Sequence, residues 1–252
     1  MSLFSRALLM LAPRRRVRAA FTQHYERRDW LEPETVSGRG SSLKRTDAIR
    51  RHLPALFTEF AVKTAVDAGC GDFNWFRALD MELESYVGID VVEDLVAADR
   101  LRYGTPRRRF VSLDIICDPL PRVDLIVCRD CLVHLKNRQV SAALRNFRRS
   151  GSRYLLATTF TGDHPNHDGP LGGWRPLNLE RSPFSLGTPL RLISERESVE
   201  DLRYSDKSLG LWPLYKRARW ERGGRGPHPD RGNHRRRRGP LRRLLGPNGH
   251  AG

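Results

Sequence analysis

The residues best placed to do chemistry lie in Val66-Asp67-Ala68-Gly69-Cys70-Gly71-Asp72-Phe73-Asn74, where an apolar run meets an Asp-x-Gly-x-Gly turn. Gly69 allows a tight backbone turn, and Gly71 lets a ligand approach without meeting a Cβ. A helix is predicted to begin near Asp72. Two further apolar runs end in acids: Tyr86-Val87-Gly88-Ile89-Asp90, 23 positions beyond Asp67, and Phe110-Val111-Ser112-Leu113-Asp114. At a strand end, Asp90 can accept hydrogen bonds from both hydroxyls of a ribose, and Asp114 is suited to an adenine amino group. A fourth run, Val123 to Cys128, leads into Arg129, Asp130, Cys131 and His134.

Charge narrows the ligand. The third glycine of a dinucleotide fingerprint is missing, because Asn74 stands in its place. A pyrophosphate at this turn would meet Asp67 and Asp72, and unneutralised like charges at short range cost on the order of a few kcal/mol. S-adenosylmethionine (SAM) presents an ammonium and a sulfonium instead, so the turn favours SAM over a nicotinamide dinucleotide. Methyl transfer from a sulfonium asks the protein mainly to align donor and acceptor and to exclude water. A general base is required when the acceptor is protonated, and Asp130 and His134, just after the fourth run, are the catalytic candidates. No metal is expected. Cys128 and Cys131 form a single Cys-x-x-Cys without a second pair and read as buried thiols. The Asp163-His164-Pro165-Asn166-His167-Asp168 loop reads as polar turns.

Elements must bring these residues together. Strands are predicted at Thr64–Ala68, Tyr86–Ile89, Phe110–Leu113, Asp124–Cys128 and Tyr154–Phe160, with helical segments between the first three. Asn137–Arg149 follows the fourth as an amphipathic helix with Asn137 as N-cap. Leu43, Ile49, Leu53, Leu56, Phe57 and Phe60 recur at helical spacing, and Pro54 is expected to kink that helix or start a second. Strands alternating with helices imply right-handed crossovers and a mostly parallel sheet covered on both faces, an α/β fold. Leu190–Ser194 and Leu209–Tyr215 are close enough to pair as antiparallel edge strands.

The formal net charge of +16 is unevenly placed: the 37 residues from Lys216 carry twelve Lys or Arg against Glu221 and Asp230, leaving +6 for the rest. This Arg, Gly and Pro-rich stretch reads as disordered. Three parts result: a helical and lid-forming segment over 1–60, a cofactor-binding domain over 61–215, and the basic tail over 216–252. Within the first part, the polar stretch 21–42 reads as a flexible loop able to close over the site. Four cysteines without secretory context indicate a cytoplasmic protein with reduced thiols. The short apolar run at Leu8–Leu11 has neither the flanks of a signal peptide nor the length of a transmembrane helix.

The segments DAGCGDF, YVGID, FVSLD and VDLIVCRDCLVHL resemble the ordered motifs of class I SAM-dependent methyltransferases, over about residues 61–160. GDFNWF and GGWRPLNLERSPF are similar to an uncharacterised bacterial subgroup of that family. The resemblance implies a Rossmann-like fold with a seven-stranded sheet. It places Asp67, Gly69 and Gly71 around the methionine part of SAM, Asp90 at the ribose and Asp114 at the adenine. Cys128, Arg129 and Asp130 then border the methyl group, and Trp174 and Arg175 lie on the substrate side. Phe73 replaces a third alternate glycine, which would tighten or block the pocket. The expected activity is methylation of a small-molecule or sugar-like acceptor. The alternative is an RNA methyltransferase, or a non-catalytic nucleic-acid-binding protein, using Arg235–Arg238 and Arg242–Arg243 to attract phosphates; its oligomeric state is not specified.

Overall fold

The computed structural model describes residues 16–196 and 202–215; the basic tail lies outside them. Seven strands form one sheet: β1 (Thr64–Ala68), β2 (Ser85–Asp90), β3 (Arg108–Ser112), β4 (Leu125–Cys128), β5 (Tyr154–Phe160), β6 (Arg191–Ser194) and β7 (Lys207–Pro213). Their order is β3-β2-β1-β4-β5-β7-β6. The neighbours from β3 to β5 pair in parallel, whereas β7 is antiparallel to both β5 and β6. β7 therefore inserts between β5 and the edge strand. The inner strands are continuous apolar runs, such as the fully buried Leu125-Ile126-Val127-Cys128, as a parallel sheet covered on both faces requires.

Among the described residues, four α-helices flank the sheet: α1 (16–26), α2 (Leu43–Glu59), α3 (Glu93–Tyr103) and α4 (Asn137–Arg149). On one face, Val140, Ala143, Leu144 and Phe147 of α4 pack with Val66, Val87, Ile126 and Leu155. On the other, Ile49, Leu53, Leu56 and Phe57 of α2 pack with Leu125, Val127, Leu156 and Leu209. The opposite faces taken by Ile126 and Val127 reflect the period of two along a strand. No helix among the described residues is long and apolar enough to cross a membrane.

Several local expectations are corrected. No α-helix follows β1; a short 3-10 turn at Phe76–Ala78 stands there. Phe73 adopts a left-handed φ of 58°, and its ring packs among Phe76, Tyr86, Tyr103 and Phe110, so the chain turns into the core. Pro54 neither ends nor divides α2, which runs unbroken with Ser42 as its N-cap. The N-cap of α4 is Lys136, and Asn137 is its first helical residue. The stretch 21–42 is also more structured than a flexible loop, containing the end of α1, a bridge between Glu32 and Thr35, and a 3-10 turn at Arg39–Ser41.

Candidate functional site

Strand β1 pairs with β2 on one side and β4 on the other, so chain direction across the sheet reverses there and a crevice opens at the carboxyl ends of these strands. A cleft of about 350 Å³ occupies that place. Gly69, Cys70 and Gly71 line it, with Asp90, Val92, Leu95 and Trp75 beside them. The turn hangs from β2 through the Gly69 and Cys70 N–H groups, which donate to the Ile89 carbonyl at 2.8 and 3.0 Å. Asp90 accepts from the Gly71 and Val92 N–H groups at 3.2 and 3.1 Å. Burial raises its pKa, against the lowering effect of these bonds.

The N-terminal segment roofs the cleft. Asp72 accepts from the Val36 N–H (2.9 Å) and from the hydroxyls of Thr35 (3.0 Å) and Ser37 (2.9 Å). Ser37 Oγ in turn accepts from the Asp72 N–H at 2.8 Å. The Asn74 amide donates to the Ser41 carbonyl at 3.1 Å. Asp72 thus anchors the roof where the start of a helix was expected. Gly71 changes meaning as well. Its φ is 55°, and a Cβ there would lie 2.2 Å from Ser37 Oγ. The missing side chain makes room for the roof. Phe73 does not block the cleft; it lines a separate cavity with Phe76, Tyr86 and Arg108.

One end of the cleft is floored by a charge quartet in which Arg129 and Glu195 are buried and Asp130 and Lys207 half-buried. Arg129 donates to Glu195 Oε2 at 2.6 Å and to the Gly40 carbonyl at 2.8 Å, and its guanidinium lies 3.3 Å from Asp130. Lys207, at the start of β7, donates to Asp130 Oδ2 at 2.6 Å and stands 3.4 Å from Glu195. Asp130 holds a left-handed φ of 49°, secured by its N–H donating to Thr158 Oγ1 at 2.8 Å. Burial alone would raise the Asp130 pKa, but Lys207 and Arg129 outweigh it and hold the carboxyl well below its usual range. A carboxylate so held is a poor proton acceptor. His134 is the opposite case: burial lowers its pKa despite Asp130, and Nδ1 is buried without a hydrogen-bond partner among the described residues. Around it stand Phe21 and Trp30, with ring centroids at 6.5 and 5.3 Å.

Of the residues singled out from sequence, Gly69, Gly71, Asp90, Arg129, Asp130, His134 and Trp174 line the cleft. Four do not. Asp67 is buried behind the turn, where it accepts from the Tyr86 hydroxyl at 3.0 Å and burial pushes its pKa up to about 7. Asp114 turns back to accept from the Ile116 N–H at 2.9 Å. Cys128 points into the core, and Cys131 borders the cleft instead. Arg175 is spent on structure, donating to the carbonyls of His167 and Val133 and to Asn137 Oδ1. The polar loop also serves packing: His164 bonds Asp206 at 3.1 Å, and Asp168 accepts from the Asn137 N–H at 2.8 Å. Among the described residues no three His, Cys, Asp or Glu side chains form a metal-binding group. Sequence reasoning missed Lys207, Glu195, Ser37, Trp75 and the roof aromatics Phe21, Tyr25 and Trp30. The density of aromatics around positions 21–30 was the available signal.

Residues 65–151 match the family described as a methyltransferase domain. Among solved structures, the methyltransferase domain of bacterial CtHen1-CN aligns with a TM-score of 0.50 at 15% identity, covering 68% of this chain and 100% of that one. Magnesium protoporphyrin IX methyltransferase (ChlM) from Synechocystis PCC 6803 aligns at 0.49 and 14% identity, over 68% and 85% of the two chains. The N-methyltransferase NodS from Bradyrhizobium japonicum WM9 aligns at 0.49 and 16%, over 67% and 96%. No curated protein matches the chain. The likeness to the first of these structures is one of fold.

Proposed function

We propose, from the match of residues 65–151 to a methyltransferase-domain family whose methyl donor is SAM, that this chain methylates a small-molecule acceptor held beneath its N-terminal roof. The observation that carries the reading is Asp90, a carboxylate lining the cleft beside a left-handed glycine turn at the sheet's switch point.

The cleft fits the donor. Asp90 offers its oxygens to ribose hydroxyls, Val92 and Leu95 give an apolar wall for a purine, and Gly69 to Gly71 leave backbone space for the amino-acid end. Asp90, the carboxylate that lines the cleft beside the turn, suits a cation and repels a pyrophosphate. When bound, SAM supplies a methyl group already activated on a sulfonium. The chain contributes alignment, and the roof of residues 36–41 sheds water. Of the two candidate bases, His134 is the better suited, since burial favours its neutral imidazole. Asp130, tied to Lys207 and Arg129, holds the floor in place.

Calorimetry with SAM and, separately, with NAD tests the reading. SAM is expected to bind and NAD to give no heat. Asp90→Ala should weaken SAM by about 1–3 kcal/mol, roughly 5-fold to 150-fold, the worth of charge-assisted hydrogen bonds. Binding of NAD alone, or an unchanged SAM affinity in the variant, would overturn the assignment.

A further inference from the structure

The geometry points to a second small-molecule site on this chain: a cavity that takes a small amphipathic anion, an aryl ring on a short chain ending in a carboxylate. The cavity holds about 210 Å³, lies between the segment that follows β1 and the starts of β2 and β3, and shares no lining residue with the cleft. Its apolar walls are Phe73, Phe76, Leu79, Met81 and Leu83, with Tyr86 at the start of β2. A cavity of about 150 Å³ accommodates benzene, so this one has room for a ring and a short chain.

Apolar space alone would take any small hydrophobe; charge at the rim selects among them. Arg77, Arg107 and Arg108 line the same cavity, and none lies within 4.0 Å of a carboxylate among the described residues. Arg108 carries the inference. Side chains alternate along a strand, so Arg108 shares a face of β3 with Phe110, which is buried in the apolar cluster beneath α2. Arg109, exposed on the opposite face, is the kind of charge that blunts an edge strand, and β3 is an edge. Arg108 is instead half-buried, with its guanidinium 5.1 Å over the Phe73 ring. A cation drawn partly out of water is costly unless an anion meets it. Its side-chain N–H groups have no partner among the described residues and, unlike Arg129 Nε, are not sealed from solvent, so a molecule in the cavity can reach them.

A carboxylate placed there accepts from the planar guanidinium fork while the ring covers the walls. Arg77, which gives one N–H to Asn74 Oδ1 at 3.1 Å, has other donors to offer. Glu82, the acid on the rim, sets the charge of the ligand: it opposes a dianion such as a phosphate monoester more than a monoanion. An ammonium meets three arginines against that one carboxylate and is repelled.

The test titrates the full chain, without cofactor, with 3-phenylpropionate and with three comparison probes: 3-phenylpropylamine, acetate and inorganic phosphate. We expect 3-phenylpropionate to bind with a Kd of about 1 mM or tighter, and each of the other three at least about 10-fold more weakly. Arg108→Met, which keeps an apolar contact with Phe73 and removes the charge, should weaken 3-phenylpropionate at least about 10-fold at an unchanged melting temperature. Arg109→Met, outside the cavity, and Trp174→Leu, in the cleft, should leave the affinity as it is. Should Arg108→Met melt lower, Leu83→Trp, which fills the cavity, is expected to abolish binding by itself. The assignment fails if 3-phenylpropionate does not bind, or if the amine, acetate or phosphate binds as well as it does. It fails too if Arg109→Met weakens binding as much as Arg108→Met, if Leu83→Trp still binds, or if Trp174→Leu alone weakens it, which would put the ring in the cleft.

Discussion

Replacing Arg129 by Met perturbs the site at its most heavily loaded side chain. The guanidinium is 2% exposed and its partner Glu195 is 1% exposed, so their 2.6 Å bond is made away from water. Arg129 also holds the Gly40 carbonyl of the roof, faces Asp130, and lies 5.5 Å over the Trp75 ring. Without it, Lys207 alone must serve two carboxylates, at 2.6 Å from Asp130 and 3.4 Å from Glu195. Breaking a buried pair from one side typically costs about 3–5 kcal/mol, because the remaining charge is left uncompensated. With Lys207 still present, the lower end, about 3 kcal/mol, is expected. For a domain of this size that lowers Tm by roughly 6–12 °C. Urea unfolding of Arg129→Met, Glu195→Leu and the double variant closes a mutant cycle. Removing both partners should recover about 2 kcal/mol or more relative to Arg129→Met alone, since a buried pair replaced by apolar side chains is often neutral or better. A single-variant loss below about 1 kcal/mol, or strictly additive losses, would refute the claim that the quartet is a desolvated, mutually dependent unit.

Gly71→Val should undock the roof, since its Cβ would come within 2.2 Å of Ser37 Oγ at a left-handed φ. The expected result is faster proteolysis within residues 27–42 and a stability loss of about 1–3 kcal/mol. Lost SAM affinity without either change would place the clash with the ligand instead. Asp67 yields a pH prediction. Its folded pKa of about 7 lies above the ordinary 3.8, mainly because of burial, so between these values the native state holds a proton the unfolded chain has released. Stability therefore falls as pH rises through that window, and the full cost is present above it. Asp67→Asn, which cannot ionise, should gain over the parent by roughly 2–3 kcal/mol more at pH 8 than at pH 5; a pH-independent difference in Tm would contradict this. Asp99, pushed up to about 8 by burial, titrates in both proteins and largely cancels from the comparison.

The parallel strands and the acids at their ends were legible in the chain because each is a local consequence of burial. A strand covered on both faces must be a run of apolar residues, and a charged residue such as Asp90 or Asp114 can follow where the run leaves the sheet. The glycine turn was legible for the same kind of reason, since few residues other than glycine accept the conformations at Gly69 and Gly71. Tertiary structure decided what those features face. Gly71 makes room for Ser37 from 34 positions earlier, Asp72 anchors a roof in place of starting a helix, and Phe73 turns into the core. Glu195 and Lys207 join Arg129 and Asp130 because β7 inserts beside β5, bringing Lys207 opposite Phe160. A buried ion pair between distant elements leaves no periodic trace in either element, and a ring at a cleft rim has the same composition as a ring in a core. Position in the chain announces neither, so the charged floor and the aromatic wall of the cleft emerged only when the strands and roof were set in place.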